Sequence, residues 1–274
     1  MSKTFKSKVF LANQEIHEEW ERYYLNPRLE SFYEGAFAHI VATIGAKKGD
    51  AILDAGCGYC FHAARFVRHG LEVTGVDFSP AALSAAKANL GKLGLSMKLQ
   101  EGNLLALPFE DEAFPFVSCW GVLMHIPEVE AALGELVRVL KPNGRISIME
   151  NSDNSLHVRF WEPLLIGIKK LTGRRTPRRD IRSQGLEEWR EEGLLIRKTN
   201  IDWLVSFMEG KGMRLVDHAT GQFSEIYTTV PSSLAKNVVY SFNNWWFKRR
   251  GSPRLALGQI LVFEKNTGLG SSAV

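Results

Sequence analysis

Three features of this 274-residue chain point to an α/β protein built on parallel strands. The first is the stretch Ala51–Asp77, AILDAGCGYCFHAARFVRHGLEVTGVD, where an apolar run, a glycine turn, a helical pattern and a second apolar run follow one another. Strand, turn, helix and strand in that order make a βαβ unit, whose two strands lie parallel. The second is that the alternation of apolar runs with helical stripes continues as far as Met149. The third is composition: 45% hydrophobic and 23% charged residues over this length suit a globular chain able to bury a core.

Two helices, Gln14–Tyr24 and Pro27–Gly45, are expected before the first strand. Leu29, Phe32, Tyr33, Ala36, Phe37, Ile40, Val41 and Ile44 form an apolar stripe on the second, and Pro27 suits a first helical position. The first helix carries Trp20, Tyr23 and Tyr24, aromatics that dock it on the sheet or reach the pocket.

At the turn, Gly56 and Gly58 lack a Cβ, so the backbone can bend sharply and a ligand can approach it closely. Asp77, about twenty residues further on, ends the second strand and can accept hydrogen bonds from two ribose hydroxyls. Ligands of open parallel sheets bind beyond the carboxyl ends of the strands, which is where these three residues converge. A nicotinamide or flavin cofactor would want a third glycine at position 61 for its diphosphate. Phe61 stands there. The turn therefore suits a nucleoside without a diphosphate, and position 61 separates it from the alternative of an NAD-dependent oxidoreductase.

LDAGCGYC followed by VTGVDFSP, EGNLLALPFEDEAFPFVSCWGVLMHIPE and RVLKPNGRISIME resembles the class I S-adenosylmethionine-dependent methyltransferases over roughly residues 45 to 150. The pattern departs at Cys60, where the family has a third glycine, and at Asn103, where it places an acid to bond the adenine amino group. The resemblance implies a Rossmann-like seven-stranded, mostly parallel sheet with helices on both faces and an antiparallel last strand. It implies S-adenosylmethionine as cofactor, held by Asp54, Gly56, Cys57, Gly58, Asp77, Phe78, Asn103, Leu104 and Trp120. It also carries the segment Trp120–His125 over the methionine end of the cofactor. There His125 could take a proton from the acceptor as a catalytic base, or hydrogen-bond the loop in a structural role.

Beyond Asp77, Ser79-Pro80 caps a helix to about Leu93, with Leu83, Ala86 and Leu90 facing inward. Ser96–Glu101 reads as a strand, Phe116–Trp120 as the next, and Pro127–Leu140 as a helix. A turn at Lys141–Gly144 leads into the strand Arg145–Met149, whose tip delivers Glu150, Asn151 and Asp153 as candidates for acceptor binding or as turn formers. Residues 156–171 read as an apolar helix, Asn200–Lys211 as another, Met213–Thr220 as a strand that resembles the family's sixth, and Leu257–Glu264 as the last strand. Between these lie a basic segment, KKLTGRRTPRRDIR, and an irregular one, Tyr227–Arg254, holding Trp245-Trp246.

The chain thus divides into an N-terminal helical segment (1–45), a cofactor-binding core (46–150) and two insertions (151–199 and 222–254) that cap the acceptor pocket. Residues 200–221 and 255–267 complete the core, and 268–274 form a disordered tail. The cap's basic residues read as a solvated loop, as arginines binding an anionic or amphipathic acceptor, or as an RNA contact. A net charge of only +4 and no appended RNA-binding module argue for a small-molecule acceptor over nucleic acid. The odd set Cys57, Cys60 and Cys119 includes a C-x-x-C without a second ligand pair, so no metal site is expected. No apolar run spans a membrane and no signal-peptide core opens the chain, so a cytoplasmic protein is expected, with peripheral membrane contact left open. The function these readings converge on is methyl transfer from S-adenosylmethionine to an O, N or C nucleophile. The alternatives are an RNA methyltransferase, the oxidoreductase, or a non-catalytic S-adenosylmethionine-binding partner protein.

Overall fold

The computed structural model describes residues 26–171, 178–189, 194–230 and 232–267. Its strands are β1 (Ala51–Ala55), β2 (Glu72–Asp77), β3 (Lys98–Glu101), β4 (Phe114–Trp120), β5 (Leu140–Asn151), β6 (Arg178–Arg182), β7 (Gly185–Trp189), β8 (Leu195–Thr199), β9 (Met213–Thr220) and β10 (Gly258–Lys265). Seven form one sheet in the order β3-β2-β1-β4-β5-β10-β9. All pairings from β3 to β5 are parallel, and β10 runs antiparallel to both β5 and β9. This is the mostly parallel α/β sheet with an antiparallel last strand that the sequence implied.

The helices are α1 (Pro27–Ile44), α2 (Ala63–Arg68), α3 (Pro80–Lys92), α4 (Val129–Val139), α5 (Glu162–Leu171), α6 (Ile201–Gly210) and α7 (Ser233–Lys248). Side chains alternate along the central strands, so both faces of the sheet are buried. Leu53, Ile146 and Ile148, Leu261 and Phe263 pack with α4 and α6 on one face. Ile52, Val73, Met149, Ile260 and Val262 pack with α1, α2 and α3 on the other. Caps fix the helix ends: Asn26 accepts from the Arg28 amide, Ser79 from Ala82 and Asn200 from Trp203, while Gly45 closes α1 in the left-handed conformation.

Several expectations are corrected. Lys141–Gly144 lies within β5 as a bulge, because the register against β4 shifts between Phe114 and Phe116 and Asn143 adopts φ 59°. The helical pattern after the glycine turn starts at Ala63, so Phe61 belongs to the loop. The segment expected to be irregular, Tyr227–Arg254, contains α7, started by Ser232, whose hydroxyl accepts from the Ala235 amide. The basic segment ends in β6, the first strand of a separate antiparallel sheet ordered β6-β7-β8. The Gln14–Tyr24 helix, residues 172–177 of the basic segment and the tail 268–274 lie outside the described residues.

The small sheet is fastened to the end of β5. Ser152 bridges to Thr199, and the Asp153 amide donates to the Thr199 carbonyl at 3.1 Å. The cap therefore sits on the carboxyl edge of the main sheet, the edge where ligands bind.

Candidate functional site

The loop after β1 is held open by its neighbours. Gly56 and Cys57 amides both donate to the Val76 carbonyl, at 2.8 and 3.0 Å, so the turn leaves β1 still tied to β2. Asp77 Oδ2 accepts from the Gly58 amide and Oδ1 from the Ser79 amide, each at 3.0 Å. One carboxylate thus fixes the glycine loop and the start of α3 together. Gly58 has φ +49° and Gly121, after β4, has φ +66°, and a Cβ on either would meet open space. Both glycines follow the carboxyl ends of strands, Gly58 after β1 and Gly121 after β4, the edge where the glycine turn and Asp77 were expected to converge.

Cys60, the departure from the glycine pattern, has φ 61°. The backbone keeps the conformation a glycine would adopt, at a cost of about 1 kcal/mol for the side chain. The hydrogen bond with the Cys60 thiol, and then burial, push the Cys57 thiol well up, so Cys57 is not a reactive thiolate. Asp54, also buried, has its carboxyl pushed up to about 7 by burial and by the charge of Asp77.

An aromatic wall stands beside this loop. Trp120 packs on Phe37 at 4.8 Å and on His62 at 5.2 Å between ring centroids, and Phe37 stacks on His62 at 5.3 Å with an interplanar angle of 12°. Tyr33 closes the box, 4.9 Å from His62. Burial, helped by the Arg65 charge, pushes His62 down to about 3, so it is a neutral ring at physiological pH. Arg65 itself, 3% exposed, ties α1 to the loop by pairing with Glu30 and Glu34 while donating to the Phe61 carbonyl at 2.7 Å. Helix α1 is thereby fastened to the glycine loop, with Tyr33 and Phe37 packed on His62. His62 was missed in the sequence because a lone histidine just after a glycine turn carries no pattern.

The other expected site residues fall into two groups. Phe78 is half-buried beside Asp77, whereas Leu104 lies in the core with Leu107 and contributes packing. Asn103 Oδ1 accepts from the Leu105 amide at 3.1 Å, a local turn bond of the kind asparagine favours. His125 sits in a single 3₁₀ turn, Leu123–His125, and its Nδ1 donates to the Leu195 carbonyl at 2.8 Å. That bond fixes the ring to β8 of the small sheet.

The same turn is gripped by a residue that sequence reading overlooked. Arg197 on β8 is 1% exposed and donates to the carbonyls of Leu123, Ile126 and Pro127 at 3.2, 2.9 and 3.3 Å. Its charge is balanced by Glu187 at 2.8 Å. Glu150, at the tip of β5, accepts from the Thr199 hydroxyl at 2.9 Å and is fully buried, so burial pushes its carboxyl up to about 7 against the pull of Thr199 and Arg197.

Because that folded-state pKa is raised, the folded chain keeps a proton that the unfolded chain releases between about pH 4.5 and 7. Stability should fall as pH rises through this window and level off above it, by on the order of 3 kcal/mol for this group. Glu150→Gln keeps an oxygen for Thr199 and removes the ionisation. Thermal unfolding of that variant should show a flatter slope between pH 5 and 8 and a higher Tm at pH 8; a slope as steep as that of the parent would assign the effect elsewhere.

Two of the cap's basic residues are engaged by one buried acid. Glu162, 8% exposed, pairs with Arg179 and Lys198, each at 2.8 Å, and His157 lies 3.9 Å from it. An arginine cluster open to an anionic acceptor is therefore not what Arg179 forms. Between the π-turn His157–Trp161 and the segment after β9 lies a groove of about 310 Å³, lined by Leu156, His157, Phe160, Leu164, Phe223 and Ser224 among others. His157 Nδ1 shares a 2.8 Å hydrogen bond with Ser224 Oγ in this groove. Of the strand-tip candidates, Asn151 hydrogen-bonds Glu225, and burial pushes Asp153 up to about 6.

Residues 53–148 match the family described as a methyltransferase domain. A demethylmenaquinone methyltransferase of Staphylococcus aureus is 32% identical over 162 residues, which cover 57% of this chain and 66% of that one, leaving the rest of the relative unmatched. Among solved structures, a SAM-dependent methyltransferase from Methanosarcina mazei superposes with a TM-score of 0.57 at 18% identity over 83% of this chain and 97% of its own. The [4+2]-cyclase SpnF does so with a TM-score of 0.56 at 17% identity over 86% and 81%. At such identities the likeness shows the fold, and a cyclase among them means that the fold alone does not decide the reaction. The glycine loop, Asp77 and the open space at Gly58 and Gly121 fit the adenosine-type cofactor of the matched family.

Proposed function

Since this chain belongs to the class I S-adenosylmethionine-dependent methyltransferases, we propose that it methylates an oxygen, nitrogen or carbon atom of an apolar small molecule held in the groove beside His157. The observation that carries this reading is the groove itself. It lies on the cap side of the β5 tip, is almost wholly apolar, and offers one neutral histidine and one hydroxyl as its polar groups. Such a cleft with a few convergent polar groups is the usual form of a small-molecule site. The relative named as a demethylmenaquinone methyltransferase supports an aromatic, quinone-like acceptor.

Bound S-adenosylmethionine supplies a methyl group on a positively charged sulfur. The chain's own part is positioning: Asp77 with the glycine loop receives the nucleoside, the Tyr33, Phe37, His62 and Trp120 rings exclude water, and the groove orients the acceptor. His157 is pushed down to about 4 by burial, so it is neutral at pH 7 and can take a proton from an acceptor hydroxyl. His125 is the second candidate base, with its ring orientation set by Leu195.

Methyl-labelled S-adenosylmethionine, offered with hydroxylated naphthoquinones and phenols of graded apolarity, tests the reading. Turnover should rise with apolarity. His157→Gln should lower kcat by about 10²- to 10⁴-fold with cofactor affinity unchanged; the same loss in His125→Gln alone would move the base to that residue. Cofactor binding without turnover on any of them would favour a non-catalytic partner protein.

A further inference from the structure

Two helices of the cap expose the face that a soluble helix ordinarily buries. On the π-turn and α5, Phe160, Leu164, Ile168 and Leu171 are solvent-exposed, Leu171 to 90%. On α7, Leu234, Val238, Phe242 and Trp245 are exposed, Leu234 to 73%. Both sets fall at the same intervals, i, i+4, i+8 and i+11, which makes a continuous stripe along one helix face. Phe223 joins the stripes: it lines the groove with Phe160 and Leu164, and its ring lies 5.0 Å from Phe242 and 4.8 Å from Trp246. A joined apolar surface of this kind marks an interaction site rather than scattered surface hydrophobics.

Charge around the surface names the partner. Residues 163–179 and 231–254 together hold eleven of the 34 lysines and arginines and none of the 30 acids. The cap as a whole, residues 151–199 and 222–254, has 16 basic and 8 acidic residues, a net charge of +8, and the rest of the chain has 18 basic and 22 acidic, a net charge of −4, so the cap is the basic pole. Lys170, Arg178 and Arg182 at one side, and Lys248, Arg249 and Arg250 at the other, are exposed. Aliphatic stripes rimmed by cations suit a sheet of anionic headgroups over hydrocarbon. A second copy of the chain would set two basic poles against each other, and five of the eight exposed stripe residues are aliphatic, which suits hydrocarbon better than stacked RNA bases. No described helix is long and apolar enough to cross a bilayer, so the contact lies in the interface.

We infer that the face formed by α5, α7 and Phe223 docks on anionic membrane surfaces, its apolar stripes entering the acyl boundary and its flanking cations holding the headgroups. The inference stands on exposed surface and charge, and is independent of the methyl-transfer reading. Its consequence for the groove is direct, since Phe160, Leu164 and Phe223 belong to both.

Flotation of the full chain with phosphatidylglycerol–phosphatidylcholine vesicles, compared with phosphatidylcholine alone at about 0.1 M salt, tests the inference. Binding should favour the anionic vesicles by at least about tenfold. Lys248→Glu with Arg249→Glu should abolish that preference, and Leu171→Ser with Val238→Ser should reduce flotation on both vesicle types. Circular dichroism and cofactor calorimetry on each variant separate loss of docking from loss of fold or of the cofactor site. Absence of flotation with anionic vesicles would overturn the inference, as would flotation untouched by the serine pair. Stronger binding to single-stranded RNA lost in the same variants would reassign the face to nucleic acid, and concentration-dependent dimers lost in them would reassign it to a second copy.

Discussion

Asp77→Ala should weaken S-adenosylmethionine binding by about 10- to 100-fold, the equivalent of roughly 1 to 3 kcal/mol. Two losses combine in that figure. The carboxylate that would accept from the ribose disappears, and the Gly58 and Ser79 amides, each bonded to it at 3.0 Å, lose their acceptor. The loop then keeps its ties to Val76 but loses its anchor at Gly58. Asp77→Asn keeps one carbonyl oxygen and replaces the other with a donor, so it should fall between the parent and the alanine variant. Calorimetry reads the affinity, and a thermal melt reads the loop's share, since stranded amides also lower stability. An alanine variant that melted earlier yet bound the cofactor as tightly as the parent would leave Asp77 a purely structural role.

Arg197→Met should cost about 3 to 5 kcal/mol of stability. The side chain is 1% exposed, and its removal leaves Glu187 charged and without its partner while three carbonyls of the Leu123–Pro127 segment lose their donor. Lysine is no substitute, because a single ammonium cannot span those acceptors as a guanidinium fork does. The penalty should shrink in the double variant Arg197→Met, Glu187→Met, as removing both members of a buried pair is far milder than removing one. Urea unfolding of the four members of that cycle gives the coupling; additivity would mean the pair is not linked. Activity adds a second readout. A loosened 3₁₀ turn would move His125, so the surviving folded enzyme should show a reduced kcat.

The core of this fold was legible because its periodicities are simple. Ile52 and Leu53, or Leu261 and Val262, point to opposite faces of a sheet covered on both sides, which leaves unbroken apolar runs that read as buried strands. Caps were legible for the same local reason: Asn26-Pro27, Ser79-Pro80 and Asn200 start helices where their side chains accept the first amides. The glycine loop could be placed from Gly56, Gly58 and Asp77 alone.

The cap resisted because its patterns are inverted. In β6, β7 and β8 charged residues occupy inward positions, paired across the sheet as Arg179 with Glu188 and Arg197 with Glu187, so binary patterning shows no apolar side. Helix α7 buries Asn243, whose amide group exchanges two hydrogen bonds with the Ser224 backbone, while Val238 and Phe242 face solvent. A reader who assumes that apolar residues turn inward assigns no helix there. Arg197 left no trace in the sequence because its acceptors are backbone carbonyls some seventy residues away, which belong to no residue type.

The placement of β10 bears on how the chain is made. Lying between β5 and β9 but following both in the chain, it is the last strand of the sheet to leave the ribosome. Until residues 258–265 emerge, the nascent polypeptide carries β5 with a bare hydrogen-bonding edge and β9 with nothing beside it. Folding during synthesis can therefore complete β1 to β5 with their helices, whereas closure of the sheet waits for residues 258–265, and a transcript cut short before residue 258 would yield a sticky fragment rather than a smaller working protein.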